Sequence, residues 1–176
     1  MRRALVLGGT GMLAGCVHVL VRDGWHVVLP SRRHEPIATE PPGTGRALWV
    51  AADWSAPQDL AARAERALGG PADLLIAWVA DSEREAVLNA VEPLLAANAS
   101  VVEVHTNSTG MGTPEPVLAG RPTHVVVLGY VSHAGRARWL HQREIADGVM
   151  TSAARALSGR APGVHQVGEP MRALAM

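Results

Sequence analysis

Leu5-Val6-Leu7-Gly8-Gly9-Thr10-Gly11-Met12-Leu13-Ala14-Gly15 joins an apolar run to a glycine-rich turn and the start of a helical pattern. The run suits a strand buried on both faces, and residues 12–21 carry helical spacing up to a stop at Gly24. Glycines between a strand and a helix allow a tight turn and close approach of a pyrophosphate, whose charge the helix N-terminus favours. Written as Gly8-x-x-Gly11-x-x-Ala14, the glycines alone also fit an ordinary structural turn. Their strand–turn–helix setting favours a dinucleotide site that draws on Gly8, Gly9, Thr10, Gly11, Met12 and Leu13.

Outward from this stretch, short apolar runs alternate with helical patterns. Strands are predicted at residues 26–29, 47–51, 73–79, 100–105 and 123–129, with a short seventh at 163–167. Ser55-Ala56-Pro57-Gln58 reads as a capping box that leads into Leu60, Ala64, Ala67 and Leu68, ended by Gly69-Gly70. Ser82-x-x-Glu85 reads as a second box before Val87, Leu88, Val91, Leu94 and Leu95. Pro93 lies inside that pattern and predicts a kink or a break. A last helix is expected over 142–157, with Ile145, Val149, Ala153 and Leu157 on one face, and 35–46 reads as a surface loop. The alternation predicts an α/β fold: a doubly wound, mostly parallel, Rossmann-like sheet of six to seven strands in a single domain over 1–176.

Composition removes several function classes. The 176 residues are 48% hydrophobic and 18% charged, which excludes disorder, and the formal net charge is zero. Such a balance argues against nucleic acid or an anionic membrane surface as the main partner. Cys16 is the only cysteine, so neither a disulfide framework nor a thiolate cluster can form within the chain. All 16 basic residues are arginine, so chemistry that needs a lysine ammonium or a Schiff base is excluded. The first apolar run is too short for a signal sequence, and no run approaches the roughly 18 residues of a membrane span. The expected location is therefore cytoplasmic. His18, His26, His34, His124, His141 and His165 lack ligand spacing, so no metal is expected.

The end of the second run, Leu29-Pro30-Ser31-Arg32-Arg33, refines the cofactor. A site for NAD usually offers an acid there to the ribose 2′-hydroxyl. This chain offers Ser31 and the guanidiniums of Arg32 and Arg33, whose forks match a 2′-phosphate. NADPH is therefore favoured over NADH, against the alternative of a solvated basic turn.

The Gly-Gly-Thr-Gly-x-x-x-Gly stretch, Arg32-Arg33, Ala52-Asp53, Leu128-Gly129-Tyr130-Val131 and the segments 138–140 and 143–149 together resemble the short-chain dehydrogenase/reductase family over nearly the whole chain. The resemblance implies that Asp53 contacts the adenine, with Trp54 beside it, and that the loop after the fourth strand lines the cofactor. That loop reads Trp78-Val79-Ala80-Asp81 here, where the family has Asn-Ala-Gly. The family's Tyr-x-x-x-Lys set is impossible without lysine, and the single tyrosine, Tyr130, follows the sixth strand. Between His105 and Thr123 the chain is short and broken by glycine and proline, so a long catalytic helix does not fit.

Substitute proton donors are therefore sought at the strand ends. His105 lies near the family's serine position and suits an acid near neutral pH, or else is a strand-end histidine bonded to backbone. Ser108 stands in for the family serine, and Tyr130 either offers its hydroxyl to substrate or packs with its tip wet. Asp81 is a carboxylate that can stabilise a substrate cation. Arg136 and Arg138 fall in a stretch that closes over the site in the family, and there they either hold an anion or are solvated.

These readings lead to an NADPH-dependent reductase of a small organic substrate, with an imine, iminium or activated C=C preferred because an iminium arrives already protonated. The alternative is a non-catalytic dinucleotide-binding protein that senses redox state or serves a partner. A homo-oligomer, dimer or tetramer, is expected through the apolar faces at 87–95 or 145–157, unless those faces pack on the sheet.

Overall fold

The computed structural model describes residues 1–33, 45–106 and 114–170. Its strands are β1 (Arg3–Leu7), β2 (His26–Ser31), β3 (Arg46–Ala51), β4 (Ala72–Ala77), β5 (Leu95–Thr106), β6 (Thr123–Leu128), β7 (Tyr130–His133), β8 (Arg136–Trp139) and β9 (Val164–Val167). The helices are α1 (Ala14–Arg22), α2 (Pro57–Leu68), α3 (Asp81–Val91) and α4 (Gln142–Leu157). Seven strands form one sheet in the order β3-β2-β1-β4-β5-β6-β9. Each neighbouring pair in it is parallel, with Arg3 opposite His26 and Ala4 opposite Leu74. This is the doubly wound Rossmann-like sheet, and its order reverses between β1 and β4. Strands β7 and β8 form a separate antiparallel hairpin with Tyr130 opposite Trp139.

Alternation along each strand sends side chains to two helical layers. Val6, Leu29, Ile76, Val102 and Val104 pack toward α1 and α4. Leu5, Leu7, Val28, Leu75 and Val101 pack toward α2 and α3. The strands hidden on both faces are mostly apolar, and the buried polar exceptions include His26 in β2, Glu103 and His105 in β5, and His124 in β6. Gly15 sits where α1 meets α4: a Cβ on it would stand 2.8 Å from the Ala146 Cβ.

The expected strands are present, with shifted ends. Pro93 breaks the helical pattern, as its missing N–H and ring require. Helix α3 therefore stops at Val91, a 3-10 turn covers Glu92–Leu94, and Leu95 enters β5 instead of continuing the helix. The longer β5 is accommodated by a register shift against β4 between Ala72 and Leu74.

Neither expected capping box forms. Ser55 spends its hydroxyl on the Asp53 carboxylate, so α2 starts behind Ala56 with Pro57 in its first turn. Ser82 lies inside α3, which begins one residue earlier, behind Ala80. The reciprocal geometry occurs instead at α4, where Glu144 accepts the His141 N–H at 2.9 Å. An imidazole at that position is outside the usual capping vocabulary, which is why the sequence did not advertise it.

The faces considered for association are occupied within the chain. Val87, Leu88 and Val91 of α3 and Ile145, Val149 and Ala153 of α4 are buried, and Leu157 alone of that set is exposed. Among the described residues no helix is long and apolar enough to cross a membrane.

Candidate functional site

A cleft of about 240 Å³ opens beyond the C-terminal ends of the strands, where the sheet order reverses. One wall is the turn after β1, through Gly8, Thr10, Gly11 and Met12. The second is the end of β2, through Pro30, Ser31, Arg32 and Arg33, and Ala52, Trp54 and Trp78 complete it. Nine of the residues expected at a dinucleotide meet here, joined by Pro30 and Ala52, which the sequence reading had not assigned.

The turn is built by its own backbone. Gly8 adopts φ +90°, a conformation that side chains disfavour, and its carbonyl accepts the N–H of Leu13 at 3.1 Å and of Gly11 at 3.3 Å. Helix α1 follows with no side-chain cap and no acid in its first turn. Its N-terminal N–H groups and positive dipole end therefore meet no competing carboxylate there. A Cβ at Gly11 would meet nothing within 4 Å among the described residues, so the loop's outer face is open to a ligand there. These features fit a diphosphate.

Gly9 and Leu13 have other work. A Cβ on Gly9 would stand 2.7 Å from Leu29 and 3.0 Å from Val17, and Leu13 is fully buried in the core. Both shape the turn from beneath and line no part of the cleft.

Ser31 ties the two main walls together. Its Oγ lies 2.8 Å from the Thr10 hydroxyl, accepts the Arg33 N–H at 3.1 Å and donates to the Arg33 carbonyl at 3.2 Å. Arg32 and Arg33 are exposed at the rim. Asp53, between the lining residues Ala52 and Trp54, is not among those that line the cleft, and its Oδ1 accepts both the backbone N–H and the hydroxyl of Ser55 at 2.9 Å. Those two bonds, with a smaller contribution from Arg32, hold its carboxyl below the ordinary aspartate value.

The β4 side is aromatic. The Trp78 backbone N–H donates to the Leu7 carbonyl at 2.9 Å, and the Trp78 ring meets that of Trp54 edge-on, with centroids 5.8 Å apart and planes at 62°. Val79 is buried in the core and Ala80 precedes α3, so the loop after β4 reaches the cleft through Trp78.

The proton-donor candidates lie elsewhere. His105 is buried, with Nε2 3.3 Å from Oε1 of the equally buried Glu103. Its partner is thus a carboxylate rather than the backbone. Oε2 of Glu103 accepts the Leu118 N–H at 3.3 Å. Glu103 was missed because the run 100–105 reads as apolar. Its signal was the alternation that puts Val101, Glu103 and His105 on one strand face and Val102 and Val104 on the other.

Asp81 begins α3 with an exposed side chain paired to Arg84 at 2.8 Å. Tyr130 is half-buried at the root of the hairpin, where its backbone exchanges two bonds with Glu169. Arg136 is exposed on β8, and Arg138 donates to Glu144 at 2.7 Å. None of these four lines the cleft. Ser108 lies outside the described residues. Among the described residues no cluster of histidine, cysteine and carboxylate side chains is placed to hold a metal ion.

No protein-family model matches the chain, and no curated protein matches its sequence. Solved structures do match its fold. An NADH-dependent reductase complexed with NAD aligns over 94% of both chains, with TM-score 0.67 at 18% identity. A 3-oxoacyl-[acyl-carrier protein] reductase from Brucella melitensis aligns over 95% of both, with TM-score 0.62 at 14% identity. A short chain dehydrogenase from Mycobacterium thermoresistibile aligns over 94% of this chain and 84% of its own, with TM-score 0.59 at 16% identity. At these identities the likeness establishes a shared fold.

Proposed function

We propose that the chain is a reductase that takes its hydride from NADPH and delivers it to a small organic substrate. The observation that carries this reading is the meeting of the glycine turn with Ser31, Arg32 and Arg33 in one cleft at the point of strand reversal. The turn through Gly8, Thr10, Gly11 and Met12, at the positive end of the α1 dipole, would hold the diphosphate. Ser31 and the two arginines would hold the 2′-phosphate, with forked, charge-assisted bonds that the 2′-hydroxyl of NADH cannot match. Asp53 and Trp54 would border the adenosine, and Trp78 with the start of its loop, Val79 and Ala80, the passage toward the nicotinamide. When bound, the cofactor supplies a hydride; the protein's part is to bind, orient and exclude water.

Within that class we place the substrate among imines, iminium ions and activated C=C bonds. Without lysine the chain cannot build the familiar tyrosine–lysine acid. An iminium carries its proton already, so the demand on a donor is least for it. Asp81, His105, Ser108 and Tyr130 remain the side chains to test as donors or charge partners. Loss of NADPH absorbance across a panel of cyclic imines and activated alkenes tests the proposal, and tight NADPH binding without turnover on any member would sink it.

A second reading is favoured by one observation: His105, Asp81 and Tyr130 all lie off the cleft. On that reading the chain binds the nucleotide without chemistry and reports on it. Transfer of deuterium from labelled NADPH to any substrate decides for the reductase; binding with no transfer decides for the sensor.

A further inference from the structure

Strands β3 and β4 are separated in the sheet by β2 and β1. At the usual strand spacing they stand about 14 Å apart. Trp54 and Trp78, which follow these two strands, nevertheless bring their rings to 5.8 Å. Both also line the cleft with Gly8 and Ser31. The two indoles therefore close over the ends of β2 and β1, the crevice that a ligand of such a sheet must cross.

Trp78 sits directly on the glycine turn. A Cβ at Gly8 would stand 3.0 Å from the Trp78 carbonyl oxygen, 3.4 Å from its Cβ and 3.6 Å from its ring at Cε3. The indole Nε1 is buried and has no hydrogen-bond partner among the described residues. Leaving such a donor unsatisfied is unfavourable, so packing, not bonding, keeps the ring where it is.

The cleft ends at this ring. Among the described residues its walls come from the ends of β1, β2 and β3 and, through Trp78, of β4, and none comes from the ends of β5 or β6. At about 240 Å³ it falls below the roughly 300–1,000 Å³ of most cofactor and ligand pockets. It suits a phosphorylated adenosine better than a whole dinucleotide.

We propose that Trp78, braced by Trp54, is a gate that divides the nucleotide site. Closed, it admits the 2′-phosphorylated adenosine half and bars the nicotinamide half from crossing β4. This inference rests on the reading of the cleft as a nucleotide site. Opening breaks the edge contact with Trp54, a modest interaction, and frees Nε1 to find a partner. Trp78 is thus a specificity-determining residue that sets how much of the dinucleotide contributes to affinity.

Isothermal titration of the full chain with 2′,5′-ADP and with NADPH tests the gate. The unmodified protein is expected to bind the two within about threefold of each other. Trp78→Ala is expected to bind NADPH at least about tenfold more tightly than the unmodified protein, with 2′,5′-ADP changed by less than about threefold. Trp54→Ala removes the brace together with a wall of the adenosine site, so it is read as the ratio of NADPH to 2′,5′-ADP affinity, which should rise by a smaller factor than in Trp78→Ala. Far-UV circular dichroism verifies that each variant is folded. If neither variant gains affinity for NADPH relative to 2′,5′-ADP while both ligands bind, the gate is wrong and the nucleotide site stands. If neither ligand binds any of the three proteins, the nucleotide reading falls and takes the gate with it.

Discussion

The hydroxyls of Thr10 and Ser31 lie 2.8 Å apart, so one side-chain bond ties the turn after β1 to the last residue of β2. The two segments belong to neighbouring parallel strands whose register ends before this point, at Leu5 opposite Val28. Beyond the ladder, this hydroxyl pair fixes the distance between the glycine turn and the arginine pair. A phosphate held by both walls requires that distance to be set in advance.

The arginine pair gives the first prediction. Arg32→Ala should weaken NADPH binding by about tenfold to a hundredfold, since bonds to a charged partner contribute roughly 1.5–3 kcal/mol. NADH binding should change by less than about threefold. Ser31→Ala should weaken NADPH by a smaller factor, because it removes a neutral bond and the Thr10 tie together. Fluorescence titration with both nucleotides measures each, and equal losses for NADPH and NADH in Arg32→Ala would remove the 2′-phosphate assignment.

The contact of α1 with α4 gives the second. Gly15→Ala gains about 0.5–1 kcal/mol of helix propensity. It also forces a methyl to 2.8 Å from the Ala146 Cβ, and such overpacking costs about 1–3 kcal/mol. The net change should be destabilising by about 1 kcal/mol in urea denaturation. Ala146→Gly alone should also destabilise, by helix propensity, and the double variant should be more stable than the two single losses add up to.

Cys16 gives the third. Burial pushes its thiol up to about 12 from an ordinary 9.0. The folded chain therefore holds a proton that the unfolded chain releases above that ordinary value, so stability falls as pH rises from about 9 toward about 12. Near neutral pH the native thiol should resist a thiol reagent that labels it promptly in denaturant, and prompt labelling of the native chain would contradict its burial.

Glu144 gives the fourth. It joins the hairpin to α4 by accepting from Arg138 at 2.7 Å and from the His141 N–H at 2.9 Å. Arg138 first, and then the His141 N–H, hold its carboxyl below the usual glutamate value of 4.5. A depressed folded value stabilises the fold above the unfolded one and is lost as pH falls through the folded one. Glu144→Gln should lower the melting temperature slightly near neutral pH, and the difference should vanish in acid. A difference that persists unchanged in acid would show that the charge is not the cause.

The sheet was legible because its signals are local. Residues 4–7 and 125–128 are apolar without interruption, and Gly8, Pro93 and Gly69 punctuate the chain where their backbone chemistry demands. The walls of the cleft were legible for the same reason, since a turn after β1 and a turn after β2 must meet once the strands are neighbours. The limits were tertiary. Nothing near Trp54 or Trp78 in sequence says that their rings meet, because the contact depends on how two loops cross two intervening strands. His105 and Asp81 were placed correctly at strand or helix ends, yet which way a terminal side chain points is settled by its neighbours. For His105 the neighbour is Glu103, and for Asp81 it is Arg84.

The bond from the Leu118 N–H to the Glu103 carboxylate has a further consequence for the order of assembly. Leu118 lies in a turn over residues 117–120, and no helix is present among the described residues 114–122 that lead back to β6. Where a helix would carry its own hydrogen bonds before docking, this return path has to borrow an acceptor from the strand it crosses. The acceptor exists only after β5 has aligned with β4 and set Glu103 beside Ala77. Residues 114–122 should therefore consolidate after the centre of the sheet and open before it, as an early-exchanging unit in native-state hydrogen exchange.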